Sequence, residues 1–194
     1  MIADFVIPTQ KIAILNANLT RFELTATPTT SLLDNLSFTM SIHNSVWNDK
    51  ADYHDMEIDC YYNSEQFDSR KLGDFRLKPR RTRLSNFSRS GNSTIDLASN
   101  GVDAFKRSNE TGFFDLEIWL KGKRVFEADE GDRHVHLSYQ CKLRLQLMTS
   151  QNSTTQGNFK PVMCQCVSLI NRSFNVVVMG KYYAFVSSRL FIIY

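Results

Sequence analysis

The side chains best equipped for chemistry here are four cysteines, four histidines and one strongly basic stretch. Cys164 and Cys166 stand two apart, so on a strand their thiols share a face. Two thiols hold zinc only with two further ligands at suitable spacing, and none follows them. Cys60 and Cys141 lie in apolar stretches, where a thiol packs as a small hydrophobe. A bridge between those two across opposed sheets is the other reading, and it needs an oxidising compartment. His134 and His136 share a strand face behind Asp129, Glu130 and Asp132; they read as an adventitious metal site or as polar residues at a hairpin exit. Asp49, Asp52, His54 and Asp55 cluster at a corner, without the oxygen-ligand spacing and glycine of a calcium loop. No Gly-Lys-Ser/Thr loop, nucleophile elbow or His-Glu-x-x-His helix occurs. The expectation is therefore a non-enzymatic protein with no catalytic residue, metal or cofactor.

The basic stretch holds Arg70, Lys71, Arg76, Lys78, Arg80, Arg81 and Arg83, interleaved with Phe75. Of these, Arg76, Lys78, Arg80, Arg81 and Arg83 are candidates for contact with phosphate or lipid headgroups. The plainer reading puts them on the wet face and edge of a sheet, where Lys and Arg discourage edge pairing, with Pro79 at an edge or loop. A net charge of +3 is too small to imply a nucleic-acid partner.

Asn-X-Ser/Thr occurs at Asn18, Asn35, Asn86, Asn92, Asn109, Asn152 and Asn171. With fourteen Asn, and about one residue in six Ser or Thr, chance gives about two such sites. Glycans there require a secretory route and an exposed loop or polar face. The alternative is a Ser/Thr/Asn-rich surface that never meets the glycosylation machinery.

The elements that carry these residues read as strands. Leu36, Phe38, Met40 and Ile42 alternate with Ser37, Thr39 and Ser41, the period of a half-buried strand. Phe114, Leu116, Ile118 and Leu120 do the same, and so does the long run Val135 to Leu147. Weaker strands are expected at 21–27, 56–62, 81–87, 94–98, 123–127 and 159–167. Turns are expected at Asp34-Asn35, Asn48-Asp49, Gly73-Asp74, Gly91-Asn92, Asn100-Gly101 and Gly131-Asp132, with a tight hairpin at Lys121-Gly122-Lys123-Arg124. Residues 102–107 fit one helical turn with Val102 and Phe105 inward. Fourteen Phe and seven Tyr against four Pro and eight Gly suit pleated surfaces. The fold class that follows is all-β: a two-sheet, immunoglobulin- or fibronectin-like sandwich of about seven or more strands.

The segments Leu36-Ser37-Phe38-Thr39-Met40-Ser41-Ile42-His43-Asn44, Ile58-Asp59-Cys60-Tyr61-Tyr62, Asp115-Leu116-Glu117-Ile118-Trp119-Leu120 and Leu137-Ser138-Tyr139-Gln140-Cys141 resemble the late embryogenesis abundant group-two domain of plant harpin-induced-like proteins. The likeness runs from about Lys11 to Cys166. It departs at the corner, where that family has Asn-Pro-Asn and this chain has Asn44-Ser45-Val46. The resemblance implies a membrane-associated or cell-surface module in plant defence or stress response, with protein partners at a membrane or cell wall. A soluble, cytosolic stress-protective domain of the same fold is the alternative.

Three segments are expected: a lead of 1–10 where that family carries its anchor, a sandwich of 11–168, and an apolar tail of 169–194. Met1 to Gln10 lacks the basic and apolar regions of a signal peptide. With an anchor upstream the domain faces outward from the plasma membrane; without one it is cytoplasmic. The tail reads as an extra strand, a poor tail anchor interrupted by Lys181 and Arg189, or non-native sequence.

Overall fold

The computed structural model describes residues 10–25, 30–47, 50–97, 99–126, 133–148, 159–171, 176–179 and 182–185. Alternating sequence becomes strand after strand: β1 (Lys11–Thr25), β2 (Ser31–His43), β3 (Ala51–Tyr62), β4 (Glu65–Lys71), β5 (Phe75–Leu77) and β6 (Thr82–Thr94). One helix, α1 (Ser99–Thr111), precedes β7 (Phe113–Phe126), β8 (Arg133–Gln146), β9 (Val162–Met163), β10 (Gln165–Asn171), β11 (Val176–Met179) and β12 (Tyr182–Phe185).

These form two antiparallel sheets, so the expected all-β sandwich is what the chain adopts. The smaller has the order β6-β2-β1-β9; the larger runs β12-β11-β10-β8-β7-β3-β4, with β5 also on β3. In β2 every second residue from Leu32 to Ile42 is buried and the others are half-buried, so one face meets the core and one meets water. Phe22 sits at the centre of an aromatic cluster, with Tyr62, Phe67, Phe105 and Phe114 at ring separations from 4.9 to 6.0 Å. Phe105 comes from α1, which is longer than the expected single turn but turns the predicted Val102 and Phe105 toward the core.

The two sheets are tied at both sides. On one side the chain changes sheets: β9 pairs with β1, then β10 pairs with β8. At the crossing Cys164 donates its N–H to Ile12 O at 2.9 Å and is disulfide-bonded to Cys141. The bridge therefore ties β8 of the larger sheet to the point where the chain passes from one sheet to the other. Cys60 is a buried free thiol, so the expected Cys60–Cys141 alternative is wrong. Both side chains are fully buried, but β7 lies between β3 and β8, and Cys60 and Cys141 each pair with Ile118 instead of each other. On the other side Arg89 of β6 reaches Asp34 of β2 and Asp68 of β4.

Several expected breaks fall inside strands. Asp34-Asn35 lies in mid-β2 and Gly91-Asn92 within β6. Asp34 is turned inward onto Arg89, and a Cβ on Gly91 would come within 2.7 Å of that guanidinium, so both residues serve the ion pair and not a turn. β6 ends at Thr94, so no separate strand spans 94–98 among the described residues. The Lys121–Arg124 hairpin is absent: β7 runs straight through it. There Gly122 crosses β3 where the pairing slips between His54 and Glu57, and a Cβ would meet Met56 Sδ at 2.3 Å. The glycine marks a close approach of two strands. Asn63 and Ser64, both with positive φ, make the β3–β4 hairpin turn. Turns expected at Asn48-Asp49 and Gly131-Asp132 lie outside the described residues, as does Glu127.

Candidate functional site

One end of the sandwich gathers the basic loop. Lys11, His43 and Thr82 stand in one row where β1 starts, β2 ends and β6 starts. Beyond that row lie two loops, 44–47 and 78–81. Asn44 fastens them together: it is fully buried, its N–H donates to Arg81 O at 3.0 Å, and its Nδ2 donates to Lys78 O at 3.3 Å. Its Oδ1 accepts from Val46 N–H at 3.2 Å, while Arg80 N–H donates to Val46 O at 3.1 Å.

Lys78 to Arg81 form a turn closed by Arg81 N–H to Lys78 O at 3.2 Å. Pro79 supplies the second position and Arg80 the third, at φ 55°. That backbone is a type II turn, whose third position favours Gly or Asn, and a long side chain there is held against preference.

The expected basic residues do not act as one patch. Arg76 is paired with Asp52, its Nη2 at 3.0 Å from Oδ2. Arg83 lies over the Phe75 ring at 4.3 Å, and Arg70 over Phe87 at 4.8 Å. Lys78, Arg80 and Arg81 are exposed and make no ion pair among the described residues. The structure adds a residue that sequence reasoning passed over: Trp47, 72% exposed, next in the chain to Val46. Its signal was a lone tryptophan directly after a strand-ending asparagine corner.

The sequon asparagines lie elsewhere. Asn18, Asn35, Asn86 and Asn92 all stand on the outer face of the smaller sheet, Asn35 half-buried and the other three exposed. Asn18 pairs with Ser37, Asn86 with Thr39, Asn35 with Ser90 and Asn92 with Leu33. Thr39 Oγ1 donates to Asn86 Oδ1 at 2.9 Å, leaving that amide nitrogen toward solvent. Asn109 is exposed on α1; Asn152 lies outside the described residues.

The remaining titratable candidates are spent on one another. His54 pairs with Asp74 at 2.8 Å, and Lys123 with Asp55 at 2.6 Å. The hydrogen bond from Lys123 holds the Asp55 carboxyl below its ordinary range; the Asp55 N–H and His54 do the same for Asp74. Burial pushes the Cys60 thiol far above its usual value, so it stays protonated. At the core's end Tyr139 donates to Gln10 at 3.1 Å, and Tyr53 is pushed up to about 12 by burial. Among the described residues no group of three His, Cys, Asp or Glu side chains converges as a metal site. His134 is exposed on β8; Asp129, Glu130 and Asp132 lie outside the described residues. No helix of the described residues is long and apolar enough to cross a membrane.

No protein-family model matches the sequence, and no curated protein is significantly similar to it. The solution structure of AT1g01470 from Arabidopsis thaliana is similar over 77% of this chain and 92% of that one, at 11% identity and a TM-score of 0.37. A crystal structure of a protein from Archaeoglobus fulgidus is similar over 70% of this chain and 99% of that one, at 8% identity and a TM-score of 0.32.

Proposed function

We propose that this protein is a non-enzymatic, membrane-associated or cell-surface module of the late embryogenesis abundant group-two type, acting in plant defence or stress response through protein contacts at a membrane or cell wall. The observation that carries the surface reading is the gathering of Asn18, Asn35, Asn86 and Asn92 on one polar, outward face. Glycans attached there would stand in water and disturb no core contact. The Cys141–Cys164 bridge supports the same compartment, since structural disulfides persist where the surroundings are oxidising. The mutual pairing of Asp52, His54, Asp55 and their partners supports a structural use of those side chains over a catalytic one.

The test is expression in plant cells with a C-terminal tag, then glycosidase digestion and electrophoresis. A downward shift, lost stepwise in Asn18→Gln, Asn86→Gln and Asn92→Gln variants, is the expected result. An unshifted band in the soluble fraction would leave the cytosolic stress-protective reading in its place.

A further inference from the structure

The end of the sandwich that carries Trp47 has no role in the core and none in the sequon face. At this end Trp47, 72% exposed, stands close in the fold to exposed Lys78, Arg80 and Arg81. An indole is amphipathic and settles at the level of lipid headgroups, while Lys and Arg nearby are drawn to anionic phosphates. We propose that the tip formed by Trp47, Lys78, Arg80 and Arg81 docks on an anionic phospholipid surface, the indole entering the headgroup layer and the three cations lying on it.

Three features of the fold favour this occupant. The two loops are held by buried Asn44 and by the Val46–Arg80 hydrogen bond, so ring and cations are presented together before contact. Arg80 occupies the turn position that glycine would fill with less strain, which points to a use for its side chain. Lys11 starts β1 at the same end and adds a fourth exposed cation to that side. The inference deepens the membrane-associated half of the proposed function and does not depend on glycosylation.

The experiment uses the full, oxidised, unglycosylated chain and vesicles of neutral phospholipid with or without about three-tenths anionic phospholipid. A Trp119→Phe background leaves Trp47 as the single indole reporter. Sedimentation with anionic vesicles and a blue-shifted Trp47 emission are expected, weakening as salt rises from roughly 0.1 M to roughly 0.5 M. Arg80→Gly relieves the turn, so its melting temperature should hold or rise while its partition falls about five-fold. Lys78→Ala with Arg81→Ala should cost about thirty-fold on the same scale. Trp47→Ala, on an exposed side chain, should keep the fold and lose about ten-fold or more. Equal binding to neutral and anionic vesicles, or full binding by Arg80→Gly and Trp47→Ala, would overturn the proposal. So would capture by an acidic polysaccharide with none by vesicles. A failed vesicle assay beside a positive glycosidase shift would sink the tip and leave the cell-surface reading standing.

Discussion

Replacing Arg89 by methionine tests how the two sheets are held along their open side. The Asp34 side chain is wholly inaccessible and Arg89 only 12% exposed, with Arg89 Nε 2.8 Å from Asp34 Oδ2. The same guanidinium reaches Asp68 of the opposite sheet and Ser93, which in turn donates to Phe67 O at 2.8 Å. One cation therefore serves two carboxylates. Arg89→Met leaves both uncompensated, which by analogy with other broken buried pairs costs about 3 to 5 kcal/mol. Asp34→Asn keeps the Arg89–Asp68 pair and cancels the local excess of negative charge, so its cost should be nearer about 1 to 2 kcal/mol. With a urea slope of about 2 kcal/mol/M, the midpoint of Arg89→Met should fall by about 2 M. The pH dependence has a definite sign. Burial raises the Asp34 carboxyl above its ordinary value, and its hydrogen bond with Arg89 pulls it part of the way back. A raised carboxyl binds its proton more tightly when folded, so its penalty is absent below the ordinary carboxylate range and grows as pH rises through the folded value. Removing Arg89 removes the downward pull and enlarges that penalty. The deficit of Arg89→Met should therefore be largest near neutrality and shrink on acidification toward about pH 4. Equilibrium urea unfolding of the wild type and both variants at the two pH values measures this. A pH-independent deficit, or Asp34→Asn as damaging as Arg89→Met, would refute the reasoning.

Two further perturbations probe the seam and the bulge. The Cys141–Cys164 bridge closes a loop with a separation of 23 residues, so its reduction, or Cys164→Ser, should cost about 3 kcal/mol in urea unfolding, whereas Cys166→Ser should cost little. Equal unfolding midpoints with and without reductant would show that this bridge does not stabilise the fold. Gly122→Ala should destabilise by about 1 to 3 kcal/mol, because the added methyl meets Met56 Sδ at 2.3 Å and His54 O at 3.1 Å. A Met56→Ala second change should restore part of the loss, and failure to do so would place the strain in the backbone.

The strands were legible wherever one face is apolar and the other polar, because alternation is itself the consequence of half-burial. β2, the first half of β7 and β8 follow that rule residue by residue. β4 and β5 escaped because edge strands bury little: in β4 Phe67 alone is buried. Glycines were misread where their purpose is tertiary. Gly91 makes room for a guanidinium held by residues far away in sequence, and Gly122 for a methionine on the neighbouring strand. Local composition carries no trace of either partner. The disulfide was hidden for the same reason, since choosing Cys164 for Cys141 requires knowing that the chain crosses between sheets at that residue. At the tip the cations were visible in sequence, but their separation into paired Arg76, stacked Arg83 and available Lys78, Arg80 and Arg81 depends on Asp52 and Phe75 arriving from elsewhere.

The polar face and the tip occupy different parts of the same sheet and its loops, and this bears on how both operate together. Asn86 stands four residues along β6 from Thr82 at the tip row, a rise of about 13 Å, and Asn92 lies about 20 Å further along the same strand. A glycan on either would project sideways from the outer face of the smaller sheet. The Trp47 loop instead extends past the end of the strands, beside the row where Lys11 begins β1. A bilayer approached by that end would meet the indole and cations before any sugar. Moving a sequon onto the tip loop itself should then abolish vesicle binding once glycosylated, while glycans at Asn86 and Asn92 leave it intact. Measuring vesicle partition of enzymatically deglycosylated and glycosylated forms decides the matter: a large gain on removing native glycans would mean that the sequon face, and not the tip, lies against the membrane.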